Sequence, residues 1–175
     1  IYNGALTYSA NYDAMRYFLA EIYPRIRQQL PGVSLSITGS TKGVDLSGLP
    51  MDESVHLTGY VEDIRLPVAA SAVCVVPLRQ GGGTRLKILE AMALGTPVVA
   101  TSKGAEGLEA VDGEHLLLAD DPAAFASATL RLLRDNALRA RLATNARRLV
   151  EERYDWSRIG ASFVELVEHA CHKGP

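Results

Sequence analysis

Apolar residues along this chain come in short solid runs, separated by longer stretches in which they recur every three or four positions. The solid runs, at residues 1–6, 33–38, 55–57, 72–76, 97–100 and 115–118, predict strands buried on both faces. Between the first two, Met15, Phe18, Leu19, Ile22 and Ile26 recur at helical spacing, and Asn11 stands where an N-cap belongs. Pro24 predicts a bend or restart in that helix, because its ring removes a backbone donor and clashes with the preceding turn. A second helix is expected over about 85–94, stopped by Gly95, with Pro97 opening the next strand. Asp121 and Pro122 read as N-cap and first position of another helix, with Phe125, Thr129, Leu132 and Leu133 on its buried stripe. Leu138, Leu142, Ala146 and Leu149 mark a further helix, and Ile159, Phe163, Leu166, Val167 and Ala170 the last; residues 41–50 read as a mobile loop. Strands alternating with helices predict an α/β fold, a Rossmann-like doubly wound parallel sheet of about six strands with helices on both faces.

Composition adds bounds rather than detail. A chain of 175 residues is long enough to bury one full core without disulfides or metals. Its formal net charge of −2 argues against a nucleic-acid partner held by bulk electrostatics. Cys74 lies in the apolar run Ala72-Val73-Cys74-Val75-Val76 and Cys171 near the C-terminus, so both are expected as buried free thiols in a reducing compartment. No run reaches the roughly 18–20 apolar residues of a membrane-spanning helix, and no charged-then-apolar leader is present, which predicts a soluble, cytoplasmic chain. Ile1-Tyr2-Asn3-Gly4 begins inside a strand without an initiator Met, so the chain is expected to be one piece of a longer protein.

The chemistry concentrates in Pro77–Ala100, which reads as strand end, glycine loop, helix, glycine stop and strand. In an open parallel sheet the loops beyond the strand carboxyl ends form the ligand crevice, and Gly81, Gly82, Gly83 and Thr84 fall there. Glycines let the backbone approach an oxygen-rich group, and the following helix, through Arg85 and Leu86, offers N–H groups and the positive end of its dipole. A diphosphate suits both. Cations in a first turn are disfavoured by roughly 0.3–1 kcal/mol, so Arg85 and Lys87 call for a negative partner. For Arg85, beside the glycines, phosphate binding is the better reading; for Lys87 that reading and a solvated outer face stand level. A carboxylate at Glu90 could accept two ribose hydroxyls, although position alone reads as an exposed helix glutamate.

The segment Gly81–Ala100, with Leu-Glu-Ala-Met-Ala-Leu-Gly-Thr-Pro-Val-Val-Ala at its heart, resembles the donor-binding signature of family-4 retaining glycosyltransferases of the GT-B fold. His56–Asp63 is similar to the turn that cradles the base in that family, which implies Gly59, Tyr60 and Val61 as base contacts. Asp112–Leu118 and Tyr154-Asp155-Trp156-Ser157 extend the resemblance over nearly the whole chain. It implies that residues 1–175 are the C-terminal, nucleotide-sugar-binding domain of a polysaccharide-biosynthesis enzyme, with an acceptor-binding N-terminal domain outside this chain. It further implies transfer with retention from a nucleoside-diphosphate sugar to a saccharide or lipid-linked saccharide, without cofactor or metal. Such acceptors would give the intact protein a peripheral place at the inner face of the membrane. Two departures stand out. Gly82 occupies the place of the family's earlier glutamate in an E-x7-E pair, and Gly4-Ala5-Leu6 replaces a Gly-Arg-Leu context that carries a diphosphate cation. Arg85 and Lys87 are therefore expected to supply the charge lost at Ala5; Glu106, in the loop after a strand, either contacts sugar hydroxyls in place of the glutamate missing at Gly82 or, the slightly favoured reading, is a solvated loop carboxylate.

Other readings stay open at this level. A nicotinamide-dependent dehydrogenase needs Gly-x-Gly-x-x-Gly after the first strand, where this chain has Gly4-Ala5-Leu6-Thr7-Tyr8-Ser9. A sugar-nucleotide epimerase on the same scaffold and a non-catalytic nucleotide-binding module remain alternatives. His169 and His172, without a third ligand, read as part of a frayed terminal helix, and Tyr60, an aromatic after a strand, is by position more often rim packing than a base stack.

Overall fold

The computed structural model of this protein describes residues 1–172. Six parallel strands are described: β1 (Tyr2–Asn3), β2 (Leu35–Thr38), β3 (Val55–Gly59), β4 (Cys74–Val76), β5 (Val98–Ala100) and β6 (Leu117–Leu118). They form two ladders, β1-β2-β3 and β4-β5-β6, in which all pairs are parallel. Backbone bonds join the ladders where β1 meets β4: the Ile1 nitrogen donates to Val73 O at 2.8 Å, and Val75 N donates to Ile1 O at 2.9 Å. The spatial order is therefore β3-β2-β1-β4-β5-β6, and the chain reverses its direction of travel across the sheet between β1 and β4. A parallel sheet of this order opens a crevice beyond the strand carboxyl ends at that reversal.

Two apolar layers flank the sheet, and strand alternation assigns residues to them. Val75 and Val99 face a core with Phe18, Ile22 and Phe125, whereas Cys74, Val76, Val98 and Ala100 face one with Ile88, Met92 and Ala146. The first layer is made by α1 (Ser9–Tyr17), its continuation α2 (Tyr23–Gln29) and α5 (Pro122–Arg134). The second holds α3 (Arg65–Ala69), α4 (Leu86–Ala93) and α6 (Asn136–Arg153), after which α7 (Trp156–His172) follows. Asp121 caps α5 by accepting from Ala123 N and Ala124 N, with Pro122 at the first position. Gly95 ends α4 at φ 76°, a left-handed conformation that suits glycine. The expected stripes on α5 and α6 are buried, apart from the half-buried Leu133.

Several expectations are corrected. The first strand keeps its ladder only over Tyr2–Asn3, because the chain turns at Gly4 into a loop tied to the end of β2 by Gly4 N to Thr38 O and Leu6 N to Ser40 O. Asn11 is not an N-cap: α1 starts at Ser9 after Tyr8, and the Asn11 side chain is buried. Between α1 and α2 the helix widens into a π turn over Phe18–Ile22, with Tyr23 N donating to Phe18 O, and this widening meets the restart expected at Pro24. Residues 41–50 are not simply a solvated loop, since Leu49 is buried and Val44 and Leu46 pack on the core. Cys74 is buried but Cys171 is exposed. Phe163 and Leu166 of α7 are exposed and belong to neither core. The side chain of His172 and residues 173–175 lie outside the description.

Candidate functional site

The crevice lies beyond the carboxyl ends of β1, β2 and β3, with α4 entering from the β4 side. A cleft of about 250 Å³ there is lined by Asn3, Gly4, Thr38, Gly39, Tyr60, Val61, Ile64 and Glu90. Glu90, Tyr60 and Val61, distant in sequence, thus share one hollow. Glu90 sits on α4 with an exposed side chain, yet it is held: Asn3 Nδ2 donates to Glu90 Oε2 at 3.1 Å. Asn3 is itself oriented by Cys74, whose Sγ donates to Asn3 Oδ1 at 3.6 Å. Burial pushes the Cys74 thiol up to about 11, which keeps it a donor near neutral pH. A carboxylate so placed keeps lone pairs for two neighbouring hydroxyls. Tyr60 is 81% exposed and lines the cleft with its ring, after Gly59 ends β3 at φ 66°.

The backbone at the cleft floor is crowded. A Cβ on Gly39 would stand 2.6 Å from Ala5 N and 2.8 Å from the Gly4 carbonyl carbon, and φ there is 110°. Only glycine serves both demands, so the turns after β1 and β2 close against each other.

The glycine loop enters α4 as expected, but its cations behave differently from the expectation. Gly81 and Gly83 adopt φ of 103° and 84°, whereas Gly82 does not, and a Cβ on Gly82 would meet nothing within 4 Å. Thr84 and Leu86 are exposed at the entrance. Arg85 is the residue before α4 rather than part of its first turn, and only 6% of it is exposed. Its guanidinium folds back on the loop, with Nη1 donating to Gly82 O at 3.4 Å and Nη2 to Gly81 O at 3.3 Å. Nη2 also reaches Glu106 Oε2 at 3.2 Å, while the buried Nε has no partner. Glu106 is half-exposed and bonded to Lys103 Nζ at 2.6 Å; Lys103 first, and Arg85 after it, hold its carboxyl below the usual carboxylate range. Glu106 and the glycine loop are thus brought together, joined through Arg85.

Lys87 does not take the solvated course open to it from sequence. Instead of standing on an outer face, its stem runs inward to β1 and α1, where Nζ donates to Tyr2 Oη and to Asn11 Oδ1, both at 2.9 Å. Nζ lies 4.2 Å from the centroid of the Tyr2 ring. Tyr2 Oη donates to Asn11 Oδ1 at 2.6 Å, and Asn11 Nδ2 donates to Ala5 O at 2.8 Å. Burial holds the Lys87 ammonium down to about 8.

Sequence reasoning missed Asn3, Thr38, Gly39 and Ile64 at the cleft, and Tyr2 and Asn11 around Lys87. A signal existed for Asn3 and Gly39: a polar residue closing an apolar strand run, and a glycine directly after one. Among the described residues, no three His, Cys, Asp or Glu side chains are grouped to hold a metal ion, and no helix is long and apolar enough to cross a membrane.

Comparison with known proteins agrees with this geometry. A protein of the cps region of Klebsiella pneumoniae, described as an uncharacterized 44.6 kDa protein, is 25% identical over 170 residues, covering 93% of this chain and 44% of its own. The phosphatidyl-myo-inositol mannosyltransferase of Mycobacterium leprae is 32% identical over 162 residues, covering 89% of this chain and 43% of its own. This chain thus spans less than half the length of these relatives. Among solved structures, Anabaena Alr3699/HepE in complex with UDP-glucose superposes with a TM-score of 0.78 at 20% identity, over 96% of this chain and 48% of that one, which is a likeness of fold. The family model for glycosyl transferases group 1 matches residues 1–135, and the chain belongs to that family.

Proposed function

We propose that this chain is the donor-binding domain of a longer glycosyltransferase and that the crevice takes a nucleoside-diphosphate sugar. The observation that carries this reading is the meeting of Glu90, Asn3, Tyr60 and Val61 in one cleft at the reversal of the sheet, with the glycine loop and α4 entrance beside it. In this reading Glu90 accepts the ribose hydroxyls, Tyr60 and Val61 border the base, and the diphosphate lies toward Gly81–Thr84, Leu86 and the cations Arg85 and Lys87. Glu106 stands near the transferred sugar.

In the intact protein, an N-terminal acceptor domain would close over the crevice, and the sugar would pass with retention to a saccharide or lipid-linked saccharide. Departure of the nucleoside diphosphate is the costly event. Oriented amides and nearby cations stabilise the negative charge that grows on it, because they are in place before the reaction. A metal ion is not needed for this role when protein cations meet the diphosphate. The relatives support the reaction class, since the Mycobacterium leprae protein is named a mannosyltransferase and the Anabaena structure holds UDP-glucose.

Calorimetric titration of residues 1–175 with uridine, guanosine and adenosine diphosphates in EDTA tests the site. One base should bind and the domain alone should transfer nothing. No binding of any of the three, or strict metal dependence, would overturn the reading. Assay of the full-length protein for acceptor-dependent transfer against isomerisation of the sugar nucleotide separates transferase from epimerase.

A further inference from the structure

Resting on the reading that this crevice takes a diphosphate, we infer that Tyr2 and Asn11 are positioning residues that hold Lys87 as a proton-gated cation for it, while Arg85 serves as the internal clamp of the glycine loop. Three observations converge. First, Tyr2, Asn11 and Lys87 form a closed hydrogen-bonded triangle that spans β1, α1 and α4, and Asn11 fastens it to the β1–α1 loop at Ala5. Second, two of the three ammonium N–H groups are directed at Tyr2 and Asn11, and the ammonium lies against Gly4: a Cβ there would stand 2.7 Å from Nζ. Gly4 lines the same cleft as Glu90, so the residue whose missing side chain uncovers the ammonium borders the nucleotide crevice. Third, Lys87 makes no salt bridge among the described residues, whereas Arg85 is paired with Glu106 and two loop carbonyls. A buried cation without a carboxylate partner favours an incoming anion over one already compensated.

The groups facing Lys87 leave it as the one that changes charge near neutrality. From β1 comes the Tyr2 phenol, which burial raises; from β4 comes the Cys74 thiol, which burial raises to about 11. On α4 itself stand Glu90 and the always-charged Arg85, and α1 presents the neutral Asn11. An ammonium held down to about 8 by burial is mostly charged at pH 7 and mostly neutral at pH 9. A bound diphosphate favours the charged form, so binding above pH 8 takes up a proton.

The test uses the tightest-binding of the three nucleoside diphosphates, titrated at pH 7 and pH 9 in buffers of differing ionisation enthalpy. Wild type is expected to bind about tenfold more weakly at pH 9 and to take up a proton there. Lys87→Arg should flatten the fall and abolish the uptake, with the nucleotide's own titration common to both proteins. Asn11→Asp puts a carboxylate beside the ammonium in the same volume, at the cost of the bond donated to Ala5 O; it should weaken binding at pH 7 by tenfold or more while the domain stays folded in thermal unfolding. A purely structural network would leave nucleotide affinity and the pH profile of that variant at wild-type values, and this outcome overturns the inference while the crevice reading stands. Should Asn11→Asp fail to fold, Tyr2→Phe keeps the ring and removes the oxygen: a severalfold loss of affinity is expected, and none would refute the positioning role. Absence of nucleotide binding by wild type would instead sink the crevice reading itself.

Discussion

On one side of the α4 entrance Arg85 lies among the carbonyls of Gly81 and Gly82 and the carboxylate of Glu106; on the other, two residues later, Lys87 lies against a tyrosine and an asparagine, with no carboxylate bonded to it among the described residues. Both cations are mostly buried, and both precede or open the same helix. What differs is where their charge is compensated. Arg85 is answered from within, by the loop it must hold in shape. Lys87 is answered only by neutral dipoles and a ring face, which keep it in place without cancelling it. In the proposed reading, one cation builds the site and the other is presented by it.

The widest contrast between the two sides should appear in stability. Lys87→Met is expected to stabilise the domain by about 1–3 kcal/mol at pH 7 in urea unfolding, because burial of its charge moves its pKa from 10.5 to about 8. The sign follows from linkage: between pH 8 and 10.5 the unfolded chain binds the proton that the folded chain has released, so wild-type stability rises with pH across that window and the advantage of Lys87→Met shrinks. Arg85→Met should do the reverse, costing about 1–3 kcal/mol by freeing two loop carbonyls and a carboxylate from a charged donor. Equal and like-signed effects from the two variants would erase the comparison.

Next in size is Glu90→Ala, expected to lower nucleoside diphosphate affinity about tenfold or more, or ~1.4 kcal/mol, with pyrophosphate binding unaltered, since the carboxylate is exposed and its hydrogen bond is the one accepted from Asn3. Within the glycine loop, Gly83→Ala should cost about 1 kcal/mol, because φ of 84° strains an L-residue by somewhat more than the unfolded chain regains. Gly82→Ala, in open space and without positive φ, should stay within about 0.5 kcal/mol. A comparably small effect is expected from Glu106→Gln, within about 0.5 kcal/mol and fading with salt, because its side chain is 56% exposed. A larger and salt-insensitive loss would mean that Glu106, rather than the loop carbonyls, holds Arg85.

Much of the fold was legible because it rests on local periodicity. Solid apolar runs became strands, Asp121-Pro122 became a capped helix start, and Gly95 became a helix stop. The place of the glycine loop ahead of α4 was readable too, because strand, loop and helix form one continuous segment. Asn11 was misread for the complementary reason: an asparagine near a helix start looks like a cap until β1 and α4 bring Tyr2 and Lys87 against it. Lys87 stayed undecided between solvent and phosphate because spacing says which face of α4 it occupies, not what that face meets. The stripe on α7 was found as a helix, but periodicity alone does not say what, if anything, covers it.

The residue order by itself determined an alternating α/β chain and the position of a glycine loop ahead of α4, since these depend on neighbours within a few turns. Tertiary structure alone decided that Asn3 would hold Glu90, that Gly39 would press against Gly4, and that Arg85 would turn inward while Lys87 reached toward β1. Those contacts join residues up to 87 positions apart in sequence, and they exist only because the parallel sheet sets its strand ends side by side.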